Sequence, residues 1–176
     1  MLIVILLLFL LLAVIILFVI TSSFLGFIIT RVPFVTTSAD DIEFISEKLR
    51  LSPKDYFFDL GSGDGKVVFL VEKISGARTK GFELTWWTYL LAQLKGKLKK
   101  SHAEFINKNF FRQDWSEATV IYGYLFPPLM GRVEEKFRAE MRTGSTAVIR
   151  DFPFPGMAPS EVIKRPLGHA IYIYRV

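Results

Sequence analysis

The chain has 176 residues, 22 Lys and Arg against 17 Asp and Glu, and a formal net charge of +5. It has no cysteine, which excludes a disulfide framework, a thiolate metal site and a cysteine nucleophile. The mean hydropathy of +0.36 is high for a soluble domain, and the apolar excess lies at the N-terminus.

Residues 2–29 carry no charged side chain. A helix over residues 1–20 alone would rise about 30 Å, which matches the hydrocarbon core of a bilayer. A signal peptide would have early basic residues and a small-residue cleavage site, and this segment has neither. Charged side chains begin at Arg31, so we predict a single transmembrane helix in residues 1–30 and a domain of residues 31–176 on the cytoplasmic side. The alternative is a buried core helix.

Alternating helix and strand patterns follow. Ser38 is predicted to cap a helix that continues to about Leu51. Strands are predicted at 56–60, 78–82, 105–107, 119–125 and 146–149, helices at 66–74 and 130–141, and a closing hairpin at 161–164 with 169–174. Between the second and third strands lies a helix in which Trp87, Leu91, Leu94 and Leu98 recur near helical spacing. This order predicts an α/β fold with a doubly wound, mostly parallel Rossmann-like sheet and a C-terminal antiparallel hairpin.

The first strand ends in a glycine-rich turn, Gly61-Ser62-Gly63-Asp64-Gly65, and a helix follows. Glycine permits left-handed backbone and brings N–H groups close to a ligand. The third glycine comes one residue earlier than in the dinucleotide pattern G-x-G-x-x-G, and no phosphate-binding G-x-x-x-x-G-K-[ST] is present. A βα turn without a ligand is the alternative. Glu83 closes the second strand 24 residues after Asp59, about the offset at which nucleotide folds place an acid on ribose hydroxyls.

The segment 59–65 resembles motif I, D-x-G-x-G-x-G, of class I S-adenosylmethionine-dependent methyltransferases. Asp114-Trp115 and Tyr124-Leu125-Phe126-Pro127-Pro128 follow in the order of that family. The resemblance implies a methyltransferase sheet and S-adenosylmethionine as the cofactor. It places Gly61, Ser62, Gly63 and Gly65 against the methionine moiety, Glu83 on the ribose, and Asp114 with Trp115 at the adenine. Asp59 would have a structural role there, and no metal site is predicted.

The motif after the fourth strand bears on the substrate. Relatives that methylate base or glutamine amines carry [N/D]-P-P-[Y/F], whose first side chain accepts a hydrogen bond from the target amine. Here Phe126 offers no acceptor and Leu129 replaces the aromatic residue, which argues against nucleic acid. The basic run 95–100 is typical of a solvated helix end, with anionic lipid as the second interpretation and RNA as the third.

The apolar N-terminus, the lead-in 33–37, segment 59–66 and the Phe-Pro-Pro sequence together resemble small membrane-associated protein-lysine methyltransferases. Mitochondrial members of that family modify the ATP synthase c subunit and the adenine nucleotide translocase. The resemblance covers residues 31–176, although Thr36 stands where the family usually has proline. It implies a protein lysine, in a membrane-embedded protein, as the methyl acceptor, with Thr36 and Thr37 at the cofactor. A plain membrane-to-domain linker is the alternative for the lead-in.

Lysine methylation requires a neutral amine, and free lysine has a pKa of about 10.4. A desolvating aromatic pocket would disfavour the ammonium form. We therefore predict Tyr124, Phe126 and Pro127 as catalytic residues, with Phe34, Trp86 and Trp115 as further pocket aromatics or as core. Neither histidine, His102 nor His169, lies in a motif, so no general base is predicted. A small-molecule or lipid acceptor, and a non-catalytic cofactor-binding module, are the alternatives.

Overall fold

The computed structural model describes residues 2–30 and 37–176, with only the backbone for 22–30 and for residue 167. Seven strands form one sheet: β1 Tyr56–Leu60, β2 Arg78–Phe82, β3 Glu104–Ile106, β4 Val120–Gly123, β5 Thr146–Arg150, β6 Glu161–Lys164 and β7 Ala170–Arg175. The order is β3-β2-β1-β4-β5-β7-β6. Strands β1 to β5 pair in parallel, and β7 is antiparallel to both β5 and β6. The predicted Rossmann-like sheet with a closing hairpin is confirmed.

Five α-helices accompany the sheet in the described part of the chain: α1 Leu2–Thr30, α2 Ala39–Lys48, α3 Lys66–Ser75, α4 Trp86–Lys99 and α5 Pro127–Glu140. Ser38 caps α2 as predicted, since its Oγ accepts a hydrogen bond from the amide of Asp41 at 3.2 Å. Helix α5 begins at Pro127, three residues before the predicted start at Met130. Proline suits a first helical turn because the amide hydrogens there have no partner within the helix.

The core has two main layers, one on each face of the sheet. All five residues of β1 are buried, as expected for a parallel strand covered on both faces. Helices α2 and α3 pack one face through Ile42, Ile45, Val67 and Val71. On the other face lie residues of α5 and the loops, among them Trp115, Val133, Phe137 and Phe154.

Helix α1 has no part in this core. Its segment Leu2–Thr21 has a mean hydropathy of 3.8 and none of the segment is buried, so its length and composition suit a membrane span. This exposure argues against the alternative of a core helix. The ring of Phe18 meets that of Trp86 edge-on, with centroids 6.2 Å apart. Membrane crossing, and the division at residue 30, stay predictions.

Helix α4 is rotated relative to its sequence pattern. Its buried residues are Thr88 and Ala92. Of the residues grouped by spacing, Trp87 and Leu91 are half-buried, whereas Leu94 and Leu98 are exposed. Small side chains face the sheet because α4 packs closely on Phe69 and Phe105 beside Ala92.

Candidate active site

The strand order reverses at β1, which pairs with β2 on one side and β4 on the other. At the carboxyl ends of these strands, Leu60 is level with both Phe82 and Gly123. The glycine turn, Glu83 and Tyr124 follow directly after these positions and therefore meet at one edge. In open α/β sheets such a switch point forms the ligand crevice.

A cavity of about 370 Å³ lies at the opposite edge of the sheet. Its lining includes Arg50, Asp55 and Arg175, and it contains none of the residues predicted for the active site. Chemistry and position at the carboxyl edge therefore define the candidate site, and the size of this cavity does not.

The glycine turn adopts left-handed backbone at Gly61, Gly63 and Gly65, with φ of 86°, 54° and 82°. The amides of Gly61 and Ser62 both donate to the carbonyl of Phe82 at 2.9 Å, which ties the turn to β2. A Cβ on Gly65 would lie 2.6 Å from the Phe105 ring. Glycine at 65 is thus required by helix packing as well as by backbone conformation.

Ser62 lies beneath the turn. Its side chain is buried, and a Cβ added to Gly81 would come 2.6 Å from its Oγ. The Oγ has no hydrogen-bond partner among the described residues. Ser62 therefore contributes its backbone to the turn surface, while its side chain faces β2.

Glu83 fastens the turn from the neighbouring strand. Its Oε2 accepts from the Gly63 amide at 2.8 Å and its Oε1 from the Thr85 amide at 2.6 Å. Each oxygen keeps lone pairs for a further donor. The Asn107 side chain donates to the Glu83 carbonyl at 2.7 Å and to that of Leu84 at 3.0 Å, and so holds the loop from β3. Sequence reasoning identified Glu83 but missed Asn107.

Asp59 is the buried acid of the site. Burial, together with the nearby charge of Glu83, raises its pKa to about 8. On β4, Tyr122 is level with Asp59, and burial also raises the pKa of this phenol. A neutral Asp59 beneath an ionised Glu83 avoids two adjacent carboxylate charges.

The lead-in from the N-terminal helix ends against this site. Thr37 Oγ1 lies 2.7 Å from the Tyr122 hydroxyl, and the Thr37 carbonyl accepts from Lys66 Nζ at 2.8 Å. Thr37 therefore sits over the first residue of α3, beside the glycine turn. Thr36 and Phe34 lie outside the described residues.

Tyr124 is the centre of a polar network. Its hydroxyl donates to the carboxylate of Asp151, which also accepts from the Ala170 amide at 3.0 Å and lies 3.0 Å from His169 Nδ1. Burial opposes ionisation of Asp151, but these hydrogen bonds outweigh it and lower its pKa. Burial and the same contact with Asp151 raise the pKa of Tyr124. The Tyr124 ring stacks on that of Phe152, with centroids 6.4 Å apart.

Phe126 and Pro127 begin α5 at the same edge. Phe126 is the N-cap residue of the helix, makes no side-chain capping bond, and leaves its ring exposed. Leu125 turns inward instead, 3.4 Å from where a Cβ on Gly61 would lie. The position that holds Asn or Asp in amine-selective relatives thus presents an apolar ring beside the glycine turn.

Asp114 and Trp115 have different environments. The Asp114 carboxylate is exposed and accepts from the Ser116 amide and hydroxyl at 2.8 and 2.9 Å. Trp115 is fully buried, and its indole donates to the Phe110 carbonyl at 3.1 Å. The structure therefore brings only Asp114 to the surface, and Trp115 packs behind it. Trp86 also lies away from the crevice, against α1.

Comparison with known proteins decides the family. The ANTKMT methyltransferase domain matches residues 59–161, more than half of the chain. The chain belongs to this family. A protein-lysine N-methyltransferase of Saccharolobus islandicus is 29% identical over 155 residues, which cover 83% of this chain and 94% of the relative.

Two mammalian relatives match a similar region. The adenine nucleotide translocase lysine N-methyltransferase of Mus musculus is 29% identical over 135 residues, or 76% of this chain and 58% of the relative. The Homo sapiens lysine N-methyltransferase of the ATP synthase c subunit is 26% identical over 133 residues, or 74% and 56%. This member of the ANTKMT family thus spans little more than half the length of either mammalian protein.

Solved structures agree on the fold. An RNA methyltransferase from Salinibacter ruber, bound to S-adenosyl-L-homocysteine, superposes with a TM-score of 0.77 at 27% identity over 81% of this chain and 94% of that one. A Geobacter sulfurreducens methyltransferase with the same ligand reaches 0.58 at 19% identity, over 65% of this chain and 48% of that one. The chain is an S-adenosylmethionine-dependent methyltransferase, as its sequence predicts.

The residues present fit this cofactor. A half-buried carboxylate, Glu83, has free lone pairs for two hydroxyl groups, and the left-handed glycines keep side chains away from the turn surface. When bound, S-adenosylmethionine supplies an electrophilic methyl group on a sulfonium centre. The contacts of individual side chains with it stay predictions.

Proposed function

We propose that this methyltransferase modifies the ε-amine of a protein lysine, and that its natural target is a membrane protein. The observation that carries the proposal is the exposed Phe126 ring at the mouth of the crevice, where a hydrogen-bond acceptor for a planar amine is missing. Lysine N-methyltransferases among its relatives, including one matched over 94% of its length, support the same acceptor class.

Tyr124 provides the orientation that such an acceptor needs. Because its hydroxyl hydrogen is donated to Asp151, the phenol oxygen has lone pairs free to accept an N–H from the amine. That hydrogen bond would turn the nitrogen lone pair toward the methyl group. The Phe126 and Phe152 rings exclude water, which favours the neutral amine. Positioning of this kind supplies much of the rate in such transfers.

The membrane target follows from the proposed anchor. With α1 spanning the bilayer and Thr37 already part of the domain, only a short stretch separates the lipid from the active site. A lysine near the headgroups on the cytoplasmic side would therefore lie within reach.

RNA is the second candidate, because the similar Salinibacter ruber protein is an RNA methyltransferase and this chain has a net charge of +5. The missing acceptor at Phe126 argues against it. Fractionating the acceptors also separates lysine from a lipid or small-molecule acceptor, and separates methyl transfer from cofactor binding alone.

The test uses the purified full chain with methyl-labelled S-adenosylmethionine and separate membrane, soluble-protein and RNA fractions. We expect label in membrane protein, recovered as methyl-lysine after acid hydrolysis. Tyr124→Phe should lower kcat about 10-fold through loss of one hydrogen bond to the acceptor, without changing cofactor affinity. Tyr172→Phe, on β7, is the matched control and should behave like the wild type. Label confined to RNA or to lipid extracts would overturn the lysine assignment, and binding without transfer to any fraction would favour the inactive module.

A further inference from the structure

Helix α4 leaves its largest apolar side chains uncovered. Trp86, Leu90, Leu94 and Leu98 are 51%, 41%, 55% and 76% exposed. They recur every fourth residue, so they form one continuous band, which we call the outer stripe of α4. Helices of soluble domains usually turn such a band toward the core, yet α4 turns Thr88 and Ala92 inward instead. The outer stripe is therefore a surface that needs a partner.

The outer stripe is continuous with the apolar N-terminal helix. Phe18 of α1 meets Trp86, the first residue of the stripe, with ring centroids 6.2 Å apart. Phe18 lies 16 residues after Leu2, or about 24 Å along the helix axis. The contact thus comes near the end of the apolar segment Leu2–Thr21, at the level where a membrane-spanning helix leaves the hydrocarbon. Tryptophan is enriched at that depth.

The charges around the stripe suit an anionic lipid surface. Lys97, Lys99 and Lys100 are exposed beside Leu98 at the end of α4. Neither Lys97 nor Lys100 forms a salt bridge within residues 2–30 and 37–176. Lysine stems can lie along apolar surface while their ammonium groups contact phosphate headgroups. An apolar band with lysines at its border is the pattern of a helix that lies in the membrane interface.

We propose that α4 lies in the surface of an anionic bilayer, with its outer stripe inserted at the boundary between headgroups and acyl chains. This goes beyond the proposed function: it rests on insertion of α1 and not on which group is methylated. Two attachments, α1 and α4, would then fix the orientation of the domain. Since α4 begins three residues after Glu83, the cofactor end of the crevice would lie close to the lipid surface.

The cysteine-free sequence permits a direct test. Single cysteines, Leu90→Cys and Leu94→Cys, are spin-labelled in the full chain and reconstituted at one chain per nanodisc of anionic lipid. We expect both nitroxides to be more accessible to oxygen than to a water-soluble nickel chelate, at a depth of about 5–10 Å. The matched control is Glu135→Cys, exposed on α5, which packs against the opposite face of the sheet from α2 and α3. Its label should be accessible to the nickel chelate.

Further variants separate lipid from other occupants. Replacing Lys97, Lys99 and Lys100 with glutamine, or using zwitterionic lipid, should reduce the depth of both labels. Labels at 90 and 94 that are as water-accessible as the control would overturn the proposal. So would burial that occurs only with two chains per disc, because the stripe would then bind a second copy. Methyl transfer in the same nanodiscs is measured separately, so failure of the acceptor assignment leaves this result distinguishable.

Discussion

At the scale of single residues, two neighbouring acids have opposite environments. Asp59 is sealed beneath the glycine turn with a pKa raised to about 8, whereas Glu83 holds two backbone amides at the crevice. Burial separates the roles of these acids: one preferentially keeps its proton, and the other presents charge to hydroxyl donors. The tyrosine beside Asp59 is likewise held neutral by burial.

Asp59 should make stability depend on pH. The unfolded chain releases this proton near pH 3.9, and the folded chain keeps it until about pH 8. Between these values the unfolded state binds fewer protons, so stability falls as pH rises, by at most about 1.4 kcal/mol per pH unit. Asp59→Asn should remove this contribution, so urea unfolding should show the variant gaining stability relative to the wild type from pH 5 to 8. Asp40→Asn, on an exposed side chain, is the control; parallel curves for Asp59→Asn and wild type would contradict the assignment.

At the scale of elements, the glycine turn depends on the loop that follows β2. Glu83→Ala removes both the proposed ribose partner and the carboxylate that holds the Gly63 and Thr85 amides. A hydrogen bond to a charged group contributes about 1.5–3 kcal/mol, so S-adenosylmethionine affinity should fall about 10- to 100-fold. Calorimetry measures this, with exposed Glu117→Ala as the control. Unchanged affinity in a folded Glu83→Ala protein would remove Glu83 from the cofactor site.

Most elements could be predicted because hydrophobic periodicity and turn residues act locally. The strands at 56–60 and 78–82 agree with the structure at both ends. The orientation of α4 could not be predicted, since leucine spacing marks an apolar face without saying what covers it. Trp115 was placed in the site by its neighbour Asp114, yet only packing determines that its ring is buried.

The network at Tyr124 was also beyond the sequence. Asp151 and His169 meet because β5 and β7 pair antiparallel, with Arg150 level with Ile171. That pairing joins residues far apart in the chain, and no motif includes either one. The glycine turn and Glu83 were accessible because their spacing is fixed by one βαβ unit.

At the scale of the whole molecule, the long apolar helix and the basic domain predict one membrane orientation. A reporter fused after Val176 should behave as cytoplasmic, because charged side chains all follow residues 2–29. The full chain should stay in the membrane during carbonate treatment, and a variant starting at Arg31 supplies the comparison. Release of the full chain by carbonate or salt alone would show that α1 does not span.

The position of β7 in the sheet has a consequence for biosynthesis. Although β7 follows all other strands along the chain, it lies between β5 and β6. Strand β6 has no other partner in the described sheet, so it stays unpaired until residues 170–175 have left the ribosome. The nascent domain therefore exposes the open edge of β5 throughout translation, while α1 has long since emerged and reached the insertion machinery. Joining the last strand to β5 then closes the sheet in one late, cooperative step.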